Sequence, residues 1–192
     1  MSPLEVGFVL ECASQGEWEA WLEANHDSAK EVWLRLAKKG TGVVTVTREE
    51  ALEIALMCGW IDGLAKTQDA TYWLQRFTPR TKRSKWSRLN CEAVERLIAE
   101  GRMKPAGLAA VDAAKADGRW EAAYAPPSQI EVPQELQERL DQNPAARAAF
   151  EALNSQNRYA ILFRIADAKK PETRSRRIEQ FVEMLARGQK LY

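Results

Sequence analysis

The chain has 192 residues, 45% hydrophobic and 29% charged, which excludes global disorder and bounds the fold to one ordinary domain, with or without a small appendage. At this size ~70% of the unfolded surface can be withdrawn from water, so no disulfide staple is required. A formal net charge of +1 gives no general attraction to nucleic acid or to a membrane, and any electrostatic role must come from local clustering.

The three cysteines, Cys12, Cys58 and Cys91, are far apart and form no CxxC pair. They read as reduced thiols in a reducing compartment and supply no thiolate metal site. The N-terminal stretch carries Glu5 and Glu11, has no basic n-region, and its apolar residues 6–10 are too few for a signal sequence. No run reaches the ~18 apolar residues of a membrane span. The expected location is the cytoplasm, without membrane insertion.

Ser14 to Glu17 is a capping box, followed by Trp18, Trp21 and Leu22 at helical spacing and by Asn25 as a stop. Residues 31–38 read as a strand with Val32, Leu34 and Leu36 on one face. Gly40-Thr41-Gly42 is a turn, and residues 43–46 read as a second short strand. Thr47 to Glu50 is another capping box, opening a helix that Gly59 closes. Residues 60–63 start a strand and residues 72–77 form another. Asn90 is expected to cap a helix carrying Val94, Leu97 and Ile98 and ended by Gly101. Pro105 suits the first turn of the next helix, with Leu108 and Val111 inward and Gly118 closing. Residues 125–133, with three prolines, read as a linker, and four short helical patterns follow, the last stopped by Gly188. The expected organisation is an α+β part over 1–124, a linker over 125–133 and a helical module over 134–192. The fold class is α+β and predominantly helical, with a small, mainly antiparallel sheet in the N-terminal part and an all-helical C-terminal segment.

The densest chemistry lies between Gly59 and Asn90. Gly59-Trp60-Ile61-Asp62-Gly63 is followed by a stretch with six cations and no acid: Arg76, Arg80, Lys82, Arg83, Lys85 and Arg88. Arginines fork onto carboxylates or phosphates, Thr78, Ser84 and Ser87 add hydroxyls, and Trp86 adds a flat stacking surface. The functional reading is an anion site or a nucleic-acid contact; the structural one is a solvated loop paired with the protein's own carboxylates. Asp62 could orient a water or a base, or serve as ion-pair partner to Arg76 or Arg80. Trp60 and Trp86 are the tryptophans placed to line a pocket, and Asn90 completes the candidate set. A second basic cluster around Lys170, Arg174 and Arg177 lies near the start of the last helix, where an anion could seat. His26 is the only histidine and suits a helix end, so multi-histidine metal centres are excluded. GxGxxG, GxxxxGK[ST], GxSxG and HExxH are absent.

Residues 59–63, 76–80, 84–87 and Asn90, with Gly101-Arg102-Met103, Ala106-Gly107-Leu108 and Gly118-Arg119-Trp120, resemble the YdeI/OmpD-associated (bacteriocin-protection) family. So do Val132-Pro133, Phe150, residues 168–174 and Arg177-Ile178, and the resemblance runs from about Trp18 to Gly188. Thr81-Lys82-Arg83 stands where the family pattern carries a second proline, which leaves the basic loop less fixed. The resemblance implies a role in tolerance to bacteriocins or stress and brings no catalytic residues or cofactor. The leading expectation is therefore a non-enzymatic binding protein without cofactor or metal, recognising an anionic small molecule or an acidic protein surface. One alternative is an enzyme of unrecognised type using Asp62 with Arg76 and Arg80. A weak nucleic-acid binder using both basic clusters is the least favoured.

Overall fold

A computed structural model of the chain describes residues 6–192. Glu5, part of the expectation about an export leader, lies outside the described residues. The chain divides into two compact units. One runs through Trp86 and resumes over Asn90–Ala123; the other comprises Ser87–Leu89 and Tyr124–Tyr192.

The first unit is α+β. Its strands β1 (Val9–Glu11), β2 (Val32–Ala37), β3 (Trp60–Thr67) and β4 (Tyr72–Pro79) form one sheet in the order β1-β2-β4-β3. The β1–β2 pair is parallel, whereas β2–β4 and β3–β4 are antiparallel. β2 is central, and Val32, Trp33, Leu34 and Leu36 are all buried there, as expected of β-branched and large apolar side chains between two neighbours. The helices are α1 (Gln15–Asn25), α2 (Arg48–Met57), α3 (Arg88–Ala99) and α4 (Pro105–Ala116). Thr47 and Glu50 satisfy each other's backbone amides at the start of α2, and Ser14 accepts from Glu17 at the start of α1. Trp18, Leu22, Ile54, Trp60, Phe77 and Leu97 fill this core, each such burial contributing about 1.5–3 kcal/mol.

The turn from α2 into β3 depends on close backbone approach. Gly59 has φ +75°, and a Cβ there would sit 2.8 Å from the Ala106 carbonyl oxygen. A Cβ on Gly107 would lie 2.2 Å from the Met57 carbonyl oxygen, so α2 and α4 meet main chain to main chain.

Three local expectations are corrected. Residues 43–46 form no strand. Gly40 and Gly42, at φ 83° and 75°, turn the chain aside. The Thr45 hydroxyl then takes the Ala37 amide at 2.9 Å, in place of a ladder carbonyl, and Val44 is left 76% exposed. Asn90 does not cap α3, because the helix begins two residues earlier, at Arg88, and Asn90 lies within its first turn. Leu108 is exposed rather than inward; Gly107 and Val111 take the buried positions of α4.

The second unit is helical: α5 (Gln134–Asp141), α6 (Pro144–Glu151), α7 (Ser155–Ala166) and α8 (Pro171–Ala186). Leu136, Leu140, Phe150, Ile161, Leu162, Ile165, Ile178, Phe181 and Leu185 form its separate core. Buried Asn157 donates to the Tyr192 carbonyl and accepts from the Leu191 and Tyr192 amides, tying residues 191–192 to α7. Among the described residues no helix is long and apolar enough to cross a membrane.

Candidate functional site

The basic loop leaves the sheet where the Arg80 amide donates to the Gly59 carbonyl at 2.9 Å, one step beyond the Trp60–Pro79 pair. It then closes on itself. The Ser84 amide donates to the Thr81 carbonyl at 3.0 Å, and the Thr81 amide donates to the Ser84 hydroxyl at 2.9 Å. The Arg83 amide donates to the Thr81 hydroxyl at 3.2 Å. Serine and threonine side chains here take hydrogen bonds that a turn otherwise leaves to water.

Two arginines hold this turn from within. Arg80 lies over Trp86, its guanidinium carbon 3.4 Å from the ring centre, and donates to the Lys85 carbonyl at 3.1 Å. Arg119 donates to the Thr81 and Ser84 carbonyls at 3.2 and 3.0 Å, and its Nε meets the Asp117 carboxylate at 2.8 Å. Trp86 is 2% exposed and packs on Trp120 with ring centres 4.8 Å apart; its buried indole N–H has no hydrogen-bond acceptor among the described residues. Three loop carbonyls thus face guanidinium groups, and Lys82, Arg83 and Lys85 are exposed.

The other sequence candidates lie elsewhere in the first unit. Trp60 is in the core, donating from its indole to the His26 carbonyl at 3.1 Å and meeting Trp21 edge-on. Asp62, on β3, forms an ion pair with Arg48 rather than with Arg76 or Arg80, and its side chain is 16% exposed. Arg76, on β4, is ion-paired with Glu31. Thr78 stands opposite Ile61 in the β3–β4 ladder, and Asn90 is half-buried on α3. The fold therefore gathers Arg80, Ser84 and Trp86 into one structure and places Trp60, Asp62 and Arg76 in others. His26 accords with a helix-end role, its Nδ1 lying 3.1 Å from the Leu22 carbonyl.

In the second unit, Arg174 forks onto Glu135 at 3.2 and 3.3 Å, and Arg177 donates to the Arg164 carbonyl. Arg174 also reaches the Ile165 carbonyl at 3.5 Å, so both arginines satisfy the carbonyl end of α7. Lys170 is the N-cap residue of α8 and makes no side-chain capping bond. A cleft of about 290 Å³ between α5 and α8 is lined by Glu135, Glu138, Arg139, Gln142, Ser175 and Glu179 over Ile178. Two of its carboxylates already face cations, Glu135 with Arg174 and Glu179 with Arg139.

Sequence reasoning missed Arg119 and Arg48 as partners. Arg119 lies 35 residues or more from the carbonyls it holds, and only the tertiary fold brings them together. Among the described residues, no three His, Cys, Asp or Glu side chains are grouped to hold a metal.

The fold and this site define a class: an α+β unit presenting a braced basic loop, joined in one chain to a helical unit. Residues 10–110, more than half of the chain, match the family described as "Domain of unknown function (DUF8412)", and the chain belongs to it. Residues 129–188 match the family described as "Bacteriocin-protection, YdeI or OmpD-Associated", so the YdeI/OmpD-associated resemblance is shown for the C-terminal part. A curated relative, "Uncharacterized protein YdeI" of Bacillus subtilis (strain 168), is 35% identical over 63 residues, covering 33% of this chain and 32% of the relative. No solved structure matches.

Proposed function

We propose that this chain is a non-enzymatic binding protein that recognises an acidic protein surface through Lys82 and Arg83. The observation that carries this reading is the division of labour among the cations. Arg76 is engaged by Glu31, while Arg80 and Arg119 turn inward onto loop carbonyls. Lys82 and Arg83 are exposed at the tip of a turn whose backbone is already hydrogen-bonded. A pre-shaped loop loses little conformational entropy on binding, and exposed charges of one sign steer an oppositely charged partner.

The description of the family matched at residues 129–188 supports a place in bacteriocin protection. Three buried free cysteines support a reducing location such as the cytoplasm. A titration with labelled oligoglutamate tests the reading. Wild type binds at low salt and weakens as salt rises; Lys82→Ala/Arg83→Ala loses that binding at an unchanged melting temperature. Equal affinity of the two proteins contradicts it, and turnover of any bound ligand contradicts its non-enzymatic part.

A further inference from the structure

The backbone carbonyls of Thr81 and Ser84 are gathered by a single nitrogen, Nη1 of Arg119, at 3.2 and 3.0 Å. On its other side the same guanidinium is fixed, with Nε 2.8 Å from the Asp117 carboxylate, and the side chain is only 17% exposed. The next residue, Trp120, packs on Trp86, over which Arg80 lies. One four-residue segment just past α4, residues 117–120, therefore grips the loop at both of its ends. It falls outside both stretches matched by the family models, residues 10–110 and 129–188.

A planar guanidinium suits this task because it serves two carbonyls and one carboxylate at once in fixed directions, whereas an ammonium carries its three donors on one rotating nitrogen. Without the clamp, the Thr81–Ser84 turn keeps only its internal bonds, and Lys82 and Arg83 at its tip lose their common orientation.

Resting on the reading of the loop as a binding site for acidic partners, we infer that Arg119 is the positioning residue of that site. It fixes the direction in which Lys82 and Arg83 project and makes no contact with the ligand. A direct contact and a positioning role differ in one observable. Removing a charge that touches a polyanion lowers the slope of log affinity against log salt by about one contact. Removing a residue that shapes the site lowers affinity and leaves the slope unchanged.

Labelled oligoglutamate is titrated at several salt concentrations against the whole chain, against Arg119→Gln, and against Asp117→Ala, which loosens the anchor while keeping the cation. Arg119→Gln is expected to bind about ten-fold more weakly with the wild-type salt slope, and Asp117→Ala to weaken in the same direction but less. Amide hydrogen exchange at Arg83 and Ser84 rises in both. Unchanged affinity in Arg119→Gln overturns the inference, as does a loss accompanied by a reduced slope, which makes Arg119 a contact. If wild type itself does not bind oligoglutamate, the reading of the loop has failed and the inference fails with it. If wild type binds and only the Arg119 results disagree, the inference alone is lost.

Discussion

Asp62 and Arg48 face each other across a half-buried ion pair, and this fixes what a substitution at Asp62 does. The Arg48 side chain is 42% exposed, so solvent screening keeps the pair worth only about 0.5–1 kcal/mol. Asp62→Asn should lower stability by about that amount, and a double-mutant cycle with Arg48→Ala should recover most of it as coupling energy. Chemical denaturation reads both, and additive losses would show that the two side chains act separately. The cysteines give a second residue-scale expectation. Burial pushes the thiols of Cys12, Cys58 and Cys91 up from 9.0 to about 11. A raised thiol pKa favours the protonated native state, so this contribution is intact below about pH 9 and is lost as pH rises through about 11. Between those values the urea midpoint of wild type should fall more steeply than that of Cys58→Ala, and parallel curves would exclude the thiol as the cause.

At the scale of elements, the close approach of α2 and α4 is the most exacting contact in the first unit. Gly107→Ala sets a methyl group against the Met57 carbonyl, which backbone cannot vacate cheaply, and should cost about 2 kcal/mol. A thermal melt unchanged by Gly107→Ala would mean that the helices part without penalty. Such contacts were not legible in the sequence, where Ala106-Gly107-Leu108 reads as an unremarkable start to a helix. What was legible came from local chemistry. The box at Thr47 and Glu50 marks the start of α2, Pro105 the start of α4, and the alternation of Val32, Leu34 and Leu36 marks β2 as a strand. Residues 43–46 carry strand-forming side chains yet follow two left-handed glycines and find a hydroxyl instead of a ladder partner. β1 escaped notice because three residues pairing with distant β2 carry no local signal. The same limit governs the site. Arg80 and Trp86 are six residues apart and were read together, whereas Arg119 is joined to them only by folding.

Across the whole molecule, two units with separate cores coincide with two family matches of different description. The near-neutral net charge of +1 hides a local excess in the braced loop, where Arg80 and Arg119 serve the backbone and Lys82 and Arg83 are exposed. The second cluster offers less, because Arg174 and Arg177 complete the end of α7. The central claim, that the exposed loop cations select an acidic partner, is tested most directly by reversing them. Lys82→Glu/Arg83→Glu is titrated beside wild type with labelled oligoglutamate and with labelled oligolysine, at low and physiological salt, by fluorescence anisotropy. The account predicts that wild type prefers oligoglutamate, that the variant loses at least about ten-fold of that affinity, and that it gains binding to oligolysine at an unchanged melting temperature. The same preference in both proteins would contradict it.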